Sequence, residues 1–261
     1  MTKRKPQKHF SDHRKNRKTA RETTSERLYG RHAVEAALLN PKRTLIHLYL
    51  SANAAQALAL ETNPPAPHSV KTSAELSAML PRDAVHQGFI ADFKPLEETQ
   101  LESLSPDQGM VLLLDQLSDP HNIGAILRSA AVFGVQAVVM TRDNSPSSSA
   151  GVLAKSASGA LERVPLVVVT NLARAMHGLK NQGFFIYGLD EQGEPIATAS
   201  AHGAGLALVL GAEGPGLRHL TRENCDGFLR LSDPAAASGG FSTLNVSNAA
   251  AIAVYALHQK S

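Results

Sequence analysis

The spacing of apolar residues changes character near residue 109. From Gly109 onward, strand-sized apolar runs alternate regularly with helical stretches. MVLLLD, VQAVVM, LVVV, FFIYGL and LALVLG are the predicted strands, with helices following Asn122, Gly151, Thr170 and Pro215. Such alternation predicts a mostly parallel sheet covered on both faces, with ligands bound at the carboxyl ends of its strands. The chain closes on TLNVSNAAAIAVYALHQ, apolar on nearly every side, so this helix should be packed deep in the domain or in a subunit interface. Upstream, residues 28–93 read as a small α/β domain of their own. LYGRHAVEAALL has helical spacing, TLIHLYLS is strand-like, and Ala52 to Leu60 is helical again. After the Pro-rich break NPPAPH comes a short strand near Val70. Thr72 and Glu75 then stand at capping-box spacing before the helical AELSAML, and HQGFIADF closes the unit as a strand. Residues 94–108 are polar, carry two prolines and keep no period, which marks a linker.

Composition adds a tail to this picture. Of the 26 Lys and Arg residues, ten lie in residues 1–27 against three acidic residues, a net +7, while the rest of the chain is net −4. The tail has too few aliphatic residues to offset the entropy of ordering and is expected to be disordered. An acidic body with a basic arm suits a polyanionic partner, since each cation placed near a phosphate releases counterions. Cys225 is the single cysteine, which excludes a disulfide framework and a cysteine-based zinc site. No metal is expected, and a reducing cytoplasmic setting is. Apolar runs such as Met110 to Leu114 and Leu206 to Leu210 are strand-sized and fall far short of a membrane span, and no signal peptide is expected.

Three stretches at predicted strand ends carry the candidate chemistry. In DQLSDPHNIGAILRSAAVFG, Pro120 stiffens the loop, Asn122 stands where a helix would be capped, and Arg128 follows almost two turns later. No G-x-G-x-x-G follows this strand, so the dinucleotide-binding fingerprint is missing. In GAEGPGLRHLTREN, Gly211, Gly214 and Gly216 permit close approach to a flat ligand, Glu213 is the one ionisable group among them, and Pro215 is placed to begin a helix. In LRLSDPAAASGGFSTLNVSNAAAIAVYAL, the flexible Gly239-Gly240 pair precedes Ser242, Thr243, Asn245 and Ser247 at the mouth of the last helix. One cap needs one such residue, and the surplus suggests hydrogen bonding beyond the chain.

DPHNIGAILRSA, LVLGAEGPGL and STLNVSNAAAIAVYAL resemble, in order, the three motifs of the SpoU (TrmH-like) RNA 2'-O-ribose methyltransferases of the SPOUT superfamily. YGRHAVEAAL and HQGFIA are similar to the family's N-terminal RNA-binding domain, so the likeness spans the chain after the tail. The resemblance implies an α/β fold whose C-terminal segment threads a loop into a trefoil knot, a bound S-adenosylmethionine, a homodimer, and RNA as substrate, with 23S rRNA guanosine the nearest subgroup's target. It further implies that Gly211, Gly214, Leu231, Thr243, Leu244 and Ser247 surround the cofactor, and that Asn122, Arg128, Glu213 and Asn245 line the catalytic pocket. Members of that subgroup carry a short Ile-Pro-Met stretch before the third motif. This chain has the longer LSDPAAASGGFS there, and Thr243 stands where a serine is usual.

The implied reaction needs a proton acceptor beside a ribose 2'-hydroxyl and a positive charge to steady the developing alkoxide. Arg128 suits the charge, and Glu213 or an RNA phosphate the acceptor, because a guanidinium stays protonated. Three rivals stand beside this reading: a ribosome-associated binding module that has lost the reaction, a nucleotide-dependent enzyme of ordinary Rossmann type, which the missing fingerprint after MVLLLD disfavours, and a tRNA methyltransferase.

Overall fold

The computed structural model describes residues 25–61, 67–144, 153, 155–199, 205–231 and 244–259. Most of the basic tail, residues 1–24, lies outside them, as do Ser242 and Thr243 and the longer loop before the third motif. The threading expected of the C-terminal segment would run through 232–243 and so also lies outside the described residues.

The N-terminal domain is built on a mixed sheet ordered β1-β4-β2-β3, formed by β1 (Glu26–Tyr29), β2 (Leu45–Leu50), β3 (His68–Val70) and β4 (Phe89–Phe93). Helices α1 (Arg31–Leu39), α2 (Ala52–Glu61) and α3 (Ser73–Ala78) complete it. The helix expected from Leu28 begins three residues later, because Leu28 and Tyr29 are buried as part of a strand antiparallel to β4. Gly30, at φ +92°, makes the turn between strand and helix that a side chain would oppose. Arg27, read as the end of the tail, is fixed in β1, where it forms a two-pronged pair with Asp92 at 2.7 Å on each prong. The capping box is in place. Thr72 Oγ1 accepts from the Glu75 amide at 3.3 Å while Glu75 Oε2 accepts from the Thr72 amide at 2.8 Å.

The second half of the predicted linker is held against the catalytic domain. Single turns at Leu101–Ser103 and Pro106–Gln108 flank the buried Leu104, and Ser105 exchanges two hydrogen bonds with the side chain of Gln136. There follow β5 (Val111–Asp115), α4 (Pro120–Val132), β6 (Ala137–Thr141), β7 (Leu166–Val169), α5 (Leu172–Asn181), β8 (Phe184–Pro195), β9 (Gly205–Gly211), α6 (His219–Glu223), β10 (Gly227–Arg230) and α7 (Val246–His258). The six strands form an all-parallel sheet in the order β10-β8-β9-β5-β6-β7. Every residue of β5 and β6 is buried, as expected of central strands covered on both faces. Leu112, Leu114, Val138 and Met140 meet α4 and α7 on one face, and Val111, Leu113 and Val139 meet α5 on the other. β8 runs well beyond the expected FFIYGL, and β10 was not expected. Its sequence GFLR has too short an apolar run to stand out, and pairing with β8 supplies what the pattern lacks. Chain order reverses between β5 and β9, which opens a crevice at their carboxyl ends.

Candidate active site

Three chain segments meet at that crevice. The first is the start of α4. Its N-cap is Asp119 rather than Asn122, with the Asp119 carboxylate accepting from the amides of His121 at 3.1 Å and Asn122 at 3.3 Å. An aspartate at this position answers both the unpaired amides and the positive end of the helix. Asn122 therefore lies inside the first turn, and its side chain is released for other contacts.

The second segment is the loop after β9. Pro215 does not start a helix, and α6 begins only at His219. Instead the loop doubles back on itself, with the Gly216 amide donating to the Ala212 carbonyl at 3.0 Å. This fold sets the glycine requirements. A Cβ on Gly211 would lie 2.4 Å from the backbone of Gly216, so the close approach at Gly211 is the chain's own. Gly214 and Gly216 have φ of +84° and +67° with no atom within 4 Å of a would-be Cβ. They face open space, and their backbone conformation alone calls for glycine. Glu213 is thereby held at the exposed tip.

The third segment is the mouth of α7. Asn245 caps the helix, its Oδ1 accepting from the Ser247 amide at 2.9 Å and the Ser247 hydroxyl at 2.6 Å. Ser247 is thus drawn into the cap. The Asn245 Nδ2 donates both to Glu213 Oε1 at 2.6 Å and to Asn122 Oδ1 at 3.1 Å, and the Val246 amide adds a second donor to Glu213 Oε1 at 3.3 Å. Asn122, Glu213 and Asn245 are therefore one hydrogen-bonded cluster drawn from three separate elements.

Arg128 is not brought into that cluster. It is exposed on α4, and its side chain has no hydrogen bond or ion pair with another described residue. Leu231 directly follows β10 and packs partly against the catalytic core, whereas Leu244 is 50% exposed immediately before Asn245. Among the described residues no group of three or more His, Cys, Asp or Glu could hold a metal ion. No described helix is long and apolar enough to cross a membrane.

Sequence reasoning passed over Asp115. It is fully buried at the end of β5, paired in register with Gly211, and accepts from Arg218 Nε at 2.6 Å and the Arg218 amide at 2.9 Å. It ties the far end of the Glu213 loop to the central strand. A signal was present, since a carboxylate closing an otherwise apolar strand must find a partner or stay out of the core.

Residues 109–255 match the model of the SpoU rRNA Methylase family, more than half of the chain. The chain belongs to the SpoU rRNA methylase family. Ahead of this SpoU domain, residues 27–99 match the model described as RNA 2'-O ribose methyltransferase substrate binding. The SpoU chain is 38% identical over 251 residues to the 23S rRNA (guanosine-2'-O-)-methyltransferase RlmB of Escherichia coli (strain K12), an alignment covering 91% of this chain and 100% of that one. With the enzyme of the same name from Xanthomonas campestris it shares 42% identity over 176 residues, covering 65% of this chain and 69% of the relative. An AdoMet-bound rRNA methyltransferase from Sinorhizobium meliloti has the same fold, with a TM-score of 0.74 at 18% identity over 91% of this chain and 88% of that one.

Proposed function

We propose that this protein transfers a methyl group from S-adenosylmethionine to a ribose 2'-hydroxyl of RNA, specifically a guanosine of 23S rRNA. The observation that carries the proposal is the union of Asn122, Glu213 and Asn245 at the carboxyl ends of β5 and β9, in a chain of this family. The 23S specificity rests on the near full-length relationship to the Escherichia coli enzyme.

The residues present suit the cofactor. Bare glycine backbone at Gly214 and Gly216 and the half-exposed Leu244 leave room for a flat, partly apolar ligand beside the polar cluster. Bound there, S-adenosylmethionine supplies an electrophilic methyl group. The chain's own work is to position and to move a proton. Glu213 Oε1 is held by Asn245 and Val246, while Oε2 has no hydrogen bond among the described residues and is the oxygen that takes the 2'-hydroxyl proton. Asn122 and Asn245 fix the carboxylate and the ribose. Arg128 supplies the charge that steadies the alkoxide.

The functional unit in this reading is a dimer. Val132 of α4 is 75% exposed, and Ile252 and Tyr255 of α7 are about half exposed, with the Tyr255 ring lying 5.6 Å from that of Phe133. These neighbouring helices thus show apolar surface that a second copy would cover. Arg128 precedes Val132 by four residues, on the same helix face, so the second copy would stand beside it.

Mapping 2'-O-methylation across rRNA and tRNA in cells lacking the protein tests the proposal. Loss at one 23S guanosine is expected. An unchanged 23S profile, with or without a loss in tRNA, would overturn it.

A further inference from the structure

Between the two domains runs a wedge of chain, residues 155–164, that touches both. A Cβ on its Gly159 would lie 2.4 Å from the Ala36 Cβ of α1, and a Cβ on Gly124 of α4 would lie 2.5 Å from the Ser156 Cβ. Leu161 packs against both the N-terminal and the catalytic cores. Just beyond it sits a closed polar knot. Glu162 accepts from Arg43 Nε at 3.0 Å, from an Arg43 terminal nitrogen at 2.8 Å and from Asn40 Nδ2 at 2.7 Å. Glu26 takes another guanidinium nitrogen, and the Phe93 ring lies 5.7 Å from the guanidinium carbon. The side chains of Arg43 and Glu162 are only 3% and 5% exposed.

A buried ion pair is a weak source of stability, since desolvation offsets most of its attraction. What it supplies is uniqueness, because a forked guanidinium and a carboxylate are satisfied together in few relative placements. Uniqueness matters here. Residues 94–100 are largely exposed, and a free tether of that length spans roughly 15 Å, ample slack for one domain to lose its register on the other. The wedge ends near the chemistry, since Gly124 and His121, whose ring lies 3.4 Å from the Ser156 hydroxyl, flank Asn122.

We infer that the contact of Asn40 and Arg43 with Glu162 is a positioning clasp: it fixes the RNA-binding domain in one register, so that RNA held there reaches the Asn122, Glu213 and Asn245 cluster with its target ribose in place. The inference rests on the proposed methyl transfer and names how its substrate is delivered.

Two measurements test it in the full-length chain. Distances between spin labels at Val70→Cys and Leu220→Cys, both exposed sites, report domain register. Methyl transfer to a long 23S fragment reaching both domains is compared with transfer to a short hairpin that holds only the target nucleotide. Glu162→Leu leaves the buried Arg43 with Glu26 alone and strips the acceptor from its Nε and one terminal nitrogen, a loss the protein can relieve by undocking the domain. The expected result is a broadened distance distribution and a KM for the long RNA raised about tenfold, with kcat on the short hairpin and cofactor affinity unchanged. Arg43→Met combined with Glu162→Leu replaces the pair by apolar groups and should restore both register and KM, since Glu26 keeps access to water. If Glu162→Leu fails to fold, Glu162→Gln gives the same pattern in milder form. An unbroadened distribution, or equal losses on long and short RNA, overturns the clasp. Absence of methyl transfer by the parent to either RNA would instead remove the proposed activity, and the distances would still show whether the knot holds the domains.

Discussion

Glu162 and Glu213 are the same side chain in opposite circumstances. Glu162 lies at a domain boundary, 5% exposed, with both oxygens taken by Arg43 and Asn40. Glu213 stands on an exposed loop tip with one oxygen held by Asn245 and Val246 and the other without a partner among the described residues. A saturated buried carboxylate can only hold things in place, because any change in its charge breaks every contact at once. A half-saturated open one is oriented and still has capacity to accept a proton. Residue type does not separate structure from chemistry in this protein; the count of satisfied lone pairs and the access of water do.

The largest effect is expected where the open cluster is completed from outside. If Arg128 steadies the alkoxide, its contact strengthens as the transition state forms, so Arg128→Ala should depress turnover far more than RNA or cofactor binding. Loss of one such donor typically costs roughly a hundredfold to a thousandfold in rate, about 3–4 kcal/mol. Lysine should rescue poorly, since it keeps the charge and loses the planar fork. An exposed arginine serving only the surface would leave turnover alone, so near-parental single-turnover rates in Arg128→Ala would end the assignment. The paired substitutions Glu213→Gln and Glu162→Gln sharpen the contrast. The first should lower the rate with unfolding temperature unchanged, and the second should shift docking while leaving the chemical step intact.

Asp115 tests whether a buried carboxylate can serve the open site at one remove. Asp115→Asn leaves an acceptor for the Arg218 amide and removes the charge facing the guanidinium. A cost of about 1–3 kcal/mol in stability is expected from impairing a buried charged hydrogen bond. The loop from Gly211 to Arg218 should loosen with it, weakening cofactor binding while RNA affinity holds. Thermal unfolding and calorimetric titration read the two effects. Unchanged cofactor affinity in a destabilised protein would confine Asp115 to the core.

Much of this was legible because the relevant signals are local. The apolar runs VLLLD, AVVMT and LVVV declare a parallel sheet by themselves, and Thr72 and Glu75 declare a helix start. What escaped depends on partners distant in sequence. The strand at Glu26–Tyr29 exists through β4, sixty-odd residues away, and GFLR is a strand through β8. Asn122 looked like a cap because Ser, Asp and Asn compete for that place within a few residues, and Asp119 with Pro120 directly after it has the better geometry. Gly211 reads from the sequence as open backbone for a ligand, and the structure adds a second demand on it, the room taken by the Gly216 backbone. The resemblance groups Asn122, Arg128, Glu213 and Asn245 in one pocket without geometry, and folding brings the side chains of Asn122, Glu213 and Asn245 within hydrogen-bonding distance.

A smaller effect is expected at Gly214. Its φ of +84° makes any L side chain strained, and a Cβ there meets no protein atom within 4 Å. Gly214→Ala should therefore cost about 1 kcal/mol through the backbone, a few-fold in cofactor affinity, and Gly214→Asn less, since asparagine tolerates positive φ. Gly214→Val separates strain from occupancy. If the cofactor lies against this peptide, the bulky group should abolish binding. A loss no larger than alanine's would move the cofactor elsewhere on the loop.

The smallest effect concerns Cys225, which is neither saturated like Glu162 nor open like Glu213. Its Sγ donates to the Thr221 carbonyl at 3.3 Å, and burial pushes the thiol from an ordinary 9.0 up to about 12, only partly countered by the charges of Lys180 and Arg222. The folded protein thus keeps a proton that the unfolded chain releases. A raised pKa of this kind contributes stability fully below the unfolded value of 9.0, and that contribution is lost as pH rises toward about 12. Alkaline destabilisation should begin near the unfolded value and be reduced in Cys225→Ser. Because the thiolate is the nucleophile, iodoacetamide at about pH 8.5 should modify the native protein far more slowly than the urea-unfolded chain. Equal rates in the two states would show that the thiol titrates freely, and that burial at this site does not govern its chemistry.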